Sequence, residues 1–222
     1  MPRIFRILPE EGALHILTRG NNRQHVFEDN VDYKTYLNFL KKYKQENNIL
    51  IYHYCIMPNH VHLLVGITPE SNLAKFMKQI NLAYLYHYKK KYNYHGHLWQ
   101  GRYKSLLISK DEYLIACGRY IEFNPVKAHL AKKTKEYKWS SYNAYAYGTR
   151  GGIVDYNPVY LDWGKTDNDR QKNYQEDNDE NIKGINLNAR FLGSCDFIKN
   201  MEEKFKINNI KTNRGRPKKN NK

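Results

Sequence analysis

The sequence has no long apolar run. Nothing in its 222 residues approaches the 18 or more apolar residues that a helical membrane span needs, so no membrane partner is expected. Cysteine is scarce too. Cys55, Cys117 and Cys195 are far apart and odd in number, which excludes a disulfide framework and a CxxC metal knuckle and fits a reducing, cytoplasmic setting. Met1-Pro2-Arg3-Ile4-Phe5-Arg6 leads into no apolar stretch with a small-residue cleavage site, so no signal peptide is expected. No internal repeat is present. Acidic residues are the minority charge: 22 Asp and Glu face 37 Lys and Arg, a formal net charge of +15. That excess points to a polyanionic partner, most simply nucleic acid. With 26 Lys, 25 Asn and 20 Tyr, all encoded by A/T-rich codons, the total is of a kind that base composition also produces, so placement carries more weight.

What is present suffices for a folded core. Hydrophobic residues make up 41% and aromatics 14%, which excludes wholesale disorder. The length allows one good-sized domain plus an appendage. Gly12 to Thr18 has strand composition and leads into a polar basic turn, Arg19-Gly20-Asn21-Asn22-Arg23. Val31, Tyr36, Leu37, Leu40 and Tyr43 recur at helical spacing over about 30–47. Ile49 to Met57 and His60 to Ile67 read as strands around a Pro58-Asn59 turn, and so as a hairpin. Thr68-Pro69-Glu70 is expected to open a helix whose stripe is Leu73, Phe76, Met77, Ile80, Tyr84 and Tyr88, ending near Lys89-Lys90-Lys91-Tyr92. His97 to Ser109 reads as a short hairpin turning at Gln100-Gly101. A capping box, Ser109 with Glu112, is expected to start a helix to about Phe123, which Pro125 stops. This order predicts an α+β fold, an antiparallel sheet covered by helices.

Beyond Tyr147 the pattern weakens. Residues 165–181 hold six acids against three bases and read as a solvated linker, and Phe191 to Phe205 as one more helix. Residues 199–222 hold nine Lys and Arg against two Glu and read as a disordered basic tail. The expected division is therefore a folded domain over 1–147, an accessory segment over 148–198 and a basic, DNA-binding tail over 199–222. Within the tail, Gly215-Arg216-Pro217 resembles an AT-hook core, with Arg214 and Arg216 as groove-binding candidates.

His60 and His62 stand two apart on a strand, so both project from one face and can converge on one ion. The plain alternative is a chance HxH pair in a chain with nine histidines. Tyr120 and Asn124 stand four apart on a helix and share a face. Tyr120 can act as a nucleophile if a metal organises a phosphodiester beside it, and Asn124 can lend that metal an oxygen. Equally, Tyr120 fits a core tyrosine and Asn124-Pro125 a helix stop. Arg19, Arg23, Arg102 and Lys104 lie in turns beside strands and suit DNA phosphates or a solvated surface, while Arg102 and Tyr103 also suit stacking on unpaired bases. His15, His53 and His87 read as packed or surface residues, His95 and His97 as a loop HxH unsuited to metal, and Trp139 as a core anchor.

Met57-Pro58-Asn59-His60-Val61-His62-Leu63-Leu64 resembles the HUH motif of single-tyrosine transposases. Arg119-Tyr120-Ile121-Glu122-Phe123-Asn124-Pro125-Val126-Lys127-Ala128 resembles their catalytic helix, in the form typical of REP-associated tyrosine transposases. Thr18 to Arg23, Trp99 to Ser105 and Trp139-Ser140-Ser141-Tyr142 agree in order, so the resemblance covers roughly residues 12–147. It implies a ferredoxin-like core and cleavage and rejoining of single-stranded DNA, carried on short hairpins or palindromes, with a divalent metal, Mg²⁺ or Mn²⁺. It implies Tyr120 as nucleophile, His60, His62 and Asn124 as metal ligands, and a 5′-phosphotyrosine intermediate needing no ATP. Relatives act as monomers or homodimers. Two rival readings remain: a domesticated, catalytically silent hairpin-binding protein, and a metal-dependent nuclease in which water attacks.

Overall fold

The computed structural model describes residues 7, 9–149, 151–176, 185, 186 and 189–210. Strand β1 (Gly12–Arg19) is followed by helix α1 (Asn30–Glu46), the hairpin β2 (Leu50–Met57) and β3 (His60–Ile67), helix α2 (Leu73–Tyr92) and strand β4 (Lys104–Ile108). Their order in the sheet is β2-β3-β1-β4, with all these neighbours antiparallel. This βαββαβ arrangement is the expected ferredoxin-like core. Helix α3 (Glu112–Lys127) follows, then α4 (Tyr142–Tyr147), α5 (Pro158–Leu161), α6 (Asp167–Glu176), a fifth strand β5 (Phe191–Leu192) parallel to β4, and α7 (Cys195–Phe205).

Strand periodicity sorts the side chains into two layers. Leu14 and Ile16 of β1, with Val61, Leu63 and Val65 of β3, pack under α1 and α2 with Tyr36, Leu40, Phe76, Ile80 and Tyr84. Ala13 of β1, Leu64 of β3 and Leu106 and Ile108 of β4 face α3, meeting Leu114, Cys117, Tyr120 and Ile121. In β2, Tyr54 and Ile56 face the first layer and Cys55 and Met57 the second, and a register shift between Ile51 and His53 brings Ile51 onto the first layer as well. Because both faces are covered, these strands read as unbroken apolar runs rather than clean alternations.

Both outer margins of the sheet are covered. Along β2, Ile56 N–H donates to Trp139 O (2.9 Å), Ser141 N–H to Tyr54 O (3.0 Å), and Ile51 N–H to the Asp155 carboxylate (2.7 Å). Along β4, Leu107 N–H and Ser109 N–H donate to the carbonyls of Arg190 and Leu192, each at 2.9 Å. The amides of Arg190 and Phe191 in turn donate to Asn209 Oδ1.

Several local expectations are corrected. Helix α2 starts at Leu73, capped by Asn72 Oδ1 accepting from Lys75 N–H, because Thr68–Ser71 closes on itself as a turn. His97 to Ser109 forms no hairpin: Trp99 makes a lone bridge to Gly20, and β4 pairs with β1 on one side and β5 on the other. The α3 cap is Asp111, which accepts from Tyr113 N–H, while Ser109 Oγ donates to Asp111. Val31, counted in the α1 stripe, is 54% exposed. The expected acidic linker is in part helix α6, whose Tyr174 is fully buried. The expected helix from Phe191 is a short strand followed by α7 from Cys195.

Helix α3 also runs through Pro125 to Lys127 instead of stopping. Proline has no N–H for the carbonyl of Ile121, four residues back. The side chain of Asn124 takes its place: Nδ2–H donates to Ile121 O at 3.2 Å and to Tyr120 O at 2.8 Å.

Candidate active site

The α3 face of β3 presents His60, His62 and Leu64 in alternation. Register sets Arg19 of β1 directly opposite His60, and Leu17 opposite His62. Cys55 and Met57 of β2 flank the same two histidines from the other side. Above this face runs α3 with Tyr120. The ring centroids of His60 and His62 lie 4.9 Å apart, and Tyr120 is 6.5 Å from His62. The structure thus brings together three sequence-predicted site residues. Asn124 follows one turn along α3, its amide nitrogen engaged by the helix backbone and its Oδ1 left as the acceptor.

A further residue belongs to the cluster. His15 of β1, read from sequence as a packed or surface residue, meets His62 edge to edge in nearly the same plane, with centroids 5.1 Å apart, and lies 6.3 Å from Tyr120. Its Nε2 is 2.8 Å from His62 Nδ1. His60 Nδ1 is hydrogen-bonded to Asn59 Oδ1. The sequence held half of the signal: alternation sets His15, Leu17 and Arg19 on one face, but not which strand lies beside them.

Burial dominates the electrostatics. It pushes His15 down to about 4 and His62 well below the ordinary imidazole range, the latter also through His15, His60 and Arg19. His60 falls to about 4 by burial and then by the Arg19 charge. All three are therefore neutral near pH 7, the form in which imidazole ligates metal. Tyr120 is pushed above the ordinary phenol value, chiefly by burial and then by Cys117. Lys127, two turns along α3, stands 5.8 Å above the Tyr120 ring.

Among the described residues no group of three or more His, Cys, Asp and Glu could hold a metal ion. A cation would rely on His60, His62 and a neutral oxygen such as that of Asn124. His15 bonds to His62 through Nε2 and completes no such group of three. Two imidazole nitrogens and one amide oxygen suit a divalent cation with positions left over for phosphate oxygen and water.

Three of the four basic residues picked out beside the strands converge. Arg19, Arg102 and Lys104, with Leu17, Gln100 and Gly101, line a cavity of about 270 Å³. Arg23 stands apart in the 3₁₀ turn Asn21–Arg23, its carbonyl accepting from Asn59 Nδ2–H at 3.1 Å. Arg214 and Arg216 lie outside the described residues.

The profile of the IS200-like transposases matches residues 10–124, more than half of the protein. The chain belongs to the IS200-like transposase family. A Haemophilus influenzae protein named after the REP-associated tyrosine transposases is 30% identical over 106 residues, covering 40% of this chain and 56% of that protein. The match thus spans little more than half of the relative's length. The solved structure of a REP-associated tyrosine transposase bound to a REP hairpin superposes with a TM-score of 0.57 at 17% identity, over 70% of this chain and 95% of that one. That likeness is one of fold. Among the described residues of this family member, no helix is long and apolar enough to cross a membrane.

Helix α3 of this transposase-family chain is anchored on its far side, by residues whose role the sequence did not reveal. Glu122, fully buried, accepts from Ser141 Oγ–H and from Tyr174 Oη–H (2.6 Å) and pairs with His53 Nδ1 at 2.9 Å. Arg119 donates to Tyr174 O at 3.0 Å and lies 4.5 Å over the Tyr174 ring. At Gly118 the helix comes so close to β2 that a Cβ would collide with the His53 ring.

Proposed function

We propose that the protein is a metal-dependent single-stranded DNA endonuclease and strand transferase, with Tyr120 as nucleophile. The observation that carries this reading is the convergence of His60 and His62 with Tyr120 on the α3 face of β3. His60, His62 and Asn124 would hold Mg²⁺ or Mn²⁺, which when bound would polarise a phosphodiester and draw it to the tyrosine. Tyr120 Oη attacks phosphorus. One P–O bond forms to the tyrosine, one breaks, and the departing strand leaves with a free 3′-hydroxyl. Rejoining reverses the exchange with another 3′-hydroxyl, so the phosphodiester energy is kept in the 5′-phosphotyrosine. The phenol is neutral at pH 7 and burial raises its pKa further, so its proton must leave as the bond forms, while the departing 3′ oxygen takes one up. None of the neutral imidazoles carries a compensating charge, which leaves the cation and Lys127 to favour the phenolate.

DNA bearing a hairpin is the proposed substrate. The basic cavity of Arg19, Arg102 and Lys104 would grip its phosphates, with Arg23 alongside and Arg214 and Arg216 of the tail adding non-specific contacts. The anchoring of α3 supports a tyrosine that acts on the metal site of its own chain. In the direct test, protein, Mn²⁺ and labelled single-stranded hairpin DNA are resolved on a denaturing gel. A covalent adduct that vanishes in Tyr120→Phe is expected. An adduct that persists removes Tyr120 from the role. Cleavage that survives without an adduct points to attacking water, and binding with no cleavage under either metal points to a silent hairpin binder.

A further inference from the structure

His15 is a buried group for which the proposed chemistry has no use. It is 2% exposed, with Leu64 and Leu106 as its register partners. Its Nδ1 has no hydrogen-bond partner among the described residues. A buried orphan nitrogen is unfavourable, and an apolar side chain would fill this place without it. What distinguishes the imidazole here is its other nitrogen, 2.8 Å from His62 Nδ1.

One hydrogen lies between those two nitrogens, and its owner matters. A neutral imidazole that ligates through Nε2 must carry its hydrogen on Nδ1. Nδ1–H of His62 then donates to His15 Nε2. The neighbouring histidine has a matching arrangement. His60 Nδ1 faces Asn59 Oδ1, which only accepts, so its hydrogen also sits on Nδ1 and its Nε2 is left with a lone pair. Both rings then carry the same tautomer, hydrogen on Nδ1 and a lone pair on Nε2.

We infer that His15 is a positioning residue. By accepting from His62 Nδ1–H it selects the tautomer whose Nε2 ligates the divalent cation, and the in-line, nearly coplanar contact holds that orientation. The inference rests on the reading of His60 and His62 as metal ligands.

The test titrates Mn²⁺ into the full chain and follows free Mn²⁺ by electron paramagnetic resonance. The proteins are the parent, His62→Ala, His15→Phe and His15→Gln. Loss of such an outer partner is expected to weaken Mn²⁺ by about 10–100-fold in His15→Phe. His15→Gln, whose carbonyl oxygen reaches about as far as Nε2, should bind close to the parent. Nitrogen-15 spectra of the metal-free proteins give a readout that packing alone would not move: His62 as the Nδ1–H tautomer in the parent and His15→Gln, and mixed or Nε2–H in His15→Phe. Equal affinity in the parent and His15→Phe, with His62→Ala weakened, overturns the role of His15 and leaves the metal site standing. A parent that binds no Mn²⁺, or a His62→Ala that binds as tightly, overturns the metal reading itself. Should His15→Phe fail to fold, an Nε2–H tautomer for His62 in the parent overturns the inference.

Discussion

Asn124 does two jobs with one side chain. Its amide nitrogen replaces the backbone hydrogen bond that Pro125 cannot make, and its oxygen is free for the proposed cation. Asn124→Ala should therefore lose Mn²⁺ affinity and also about 1 kcal/mol of stability, read from urea unfolding of the metal-free protein. The sequence offered Asn124 as a candidate ligand and as a helix stop; the second reading failed because a side chain folding back one turn leaves no trace in spacing. His15 was illegible for another reason, since its meaning depends on the β1–β3 register. Histidine burial also sets an acid limit. His15 and His60 have folded values near 4, below the ordinary imidazole value of 6.5, so the unfolded chain binds more protons between them. Stability contributed by the neutral rings is full above about pH 6.5 and lost as the pH falls toward 4. Unfolding midpoints should drop across that window, and a flat profile would mean the rings are not buried neutral.

Elements were legible where packing is periodic and illegible where a single contact decides. Of the core, β1, β2, β3, α1 and α2 were legible in apolar runs and helical stripes, whereas β4 was expected as half of a hairpin and the ferredoxin-like arrangement came from the family resemblance. Helix α6 was not legible, because its surface is acidic and only Tyr174 is buried. That one side chain, with His53 and Ser141, meets Glu122 two residues beyond the proposed nucleophile. Glu122→Ala would leave three buried groups without their partner. It should cost about 3 kcal/mol or more in denaturant unfolding. Gly118→Ala, which drives a methyl group into His53, should loosen the same helix and lower adduct yield while leaving DNA affinity near the parent's.

Across the whole molecule the +15 charge resolves into places. One is the cavity beside the site, where Arg19, Arg102 and Lys104 meet. If Lys104 and Arg102 touch phosphates of a single strand, removing either should flatten the slope of log affinity against log salt by about 0.7. Fluorescence anisotropy across a salt series measures it, and an unchanged slope would mean that these side chains serve only the surface. The covered sheet margins bear on how copies of the chain meet. A strand from another molecule would have to displace Trp139–Ser141 and Asp155 on one side, or β5 on the other, before finding a free amide to pair with. At the margins among the described residues, runaway strand stacking, the usual hazard of a sheet this apolar, is thus gated by partial unfolding.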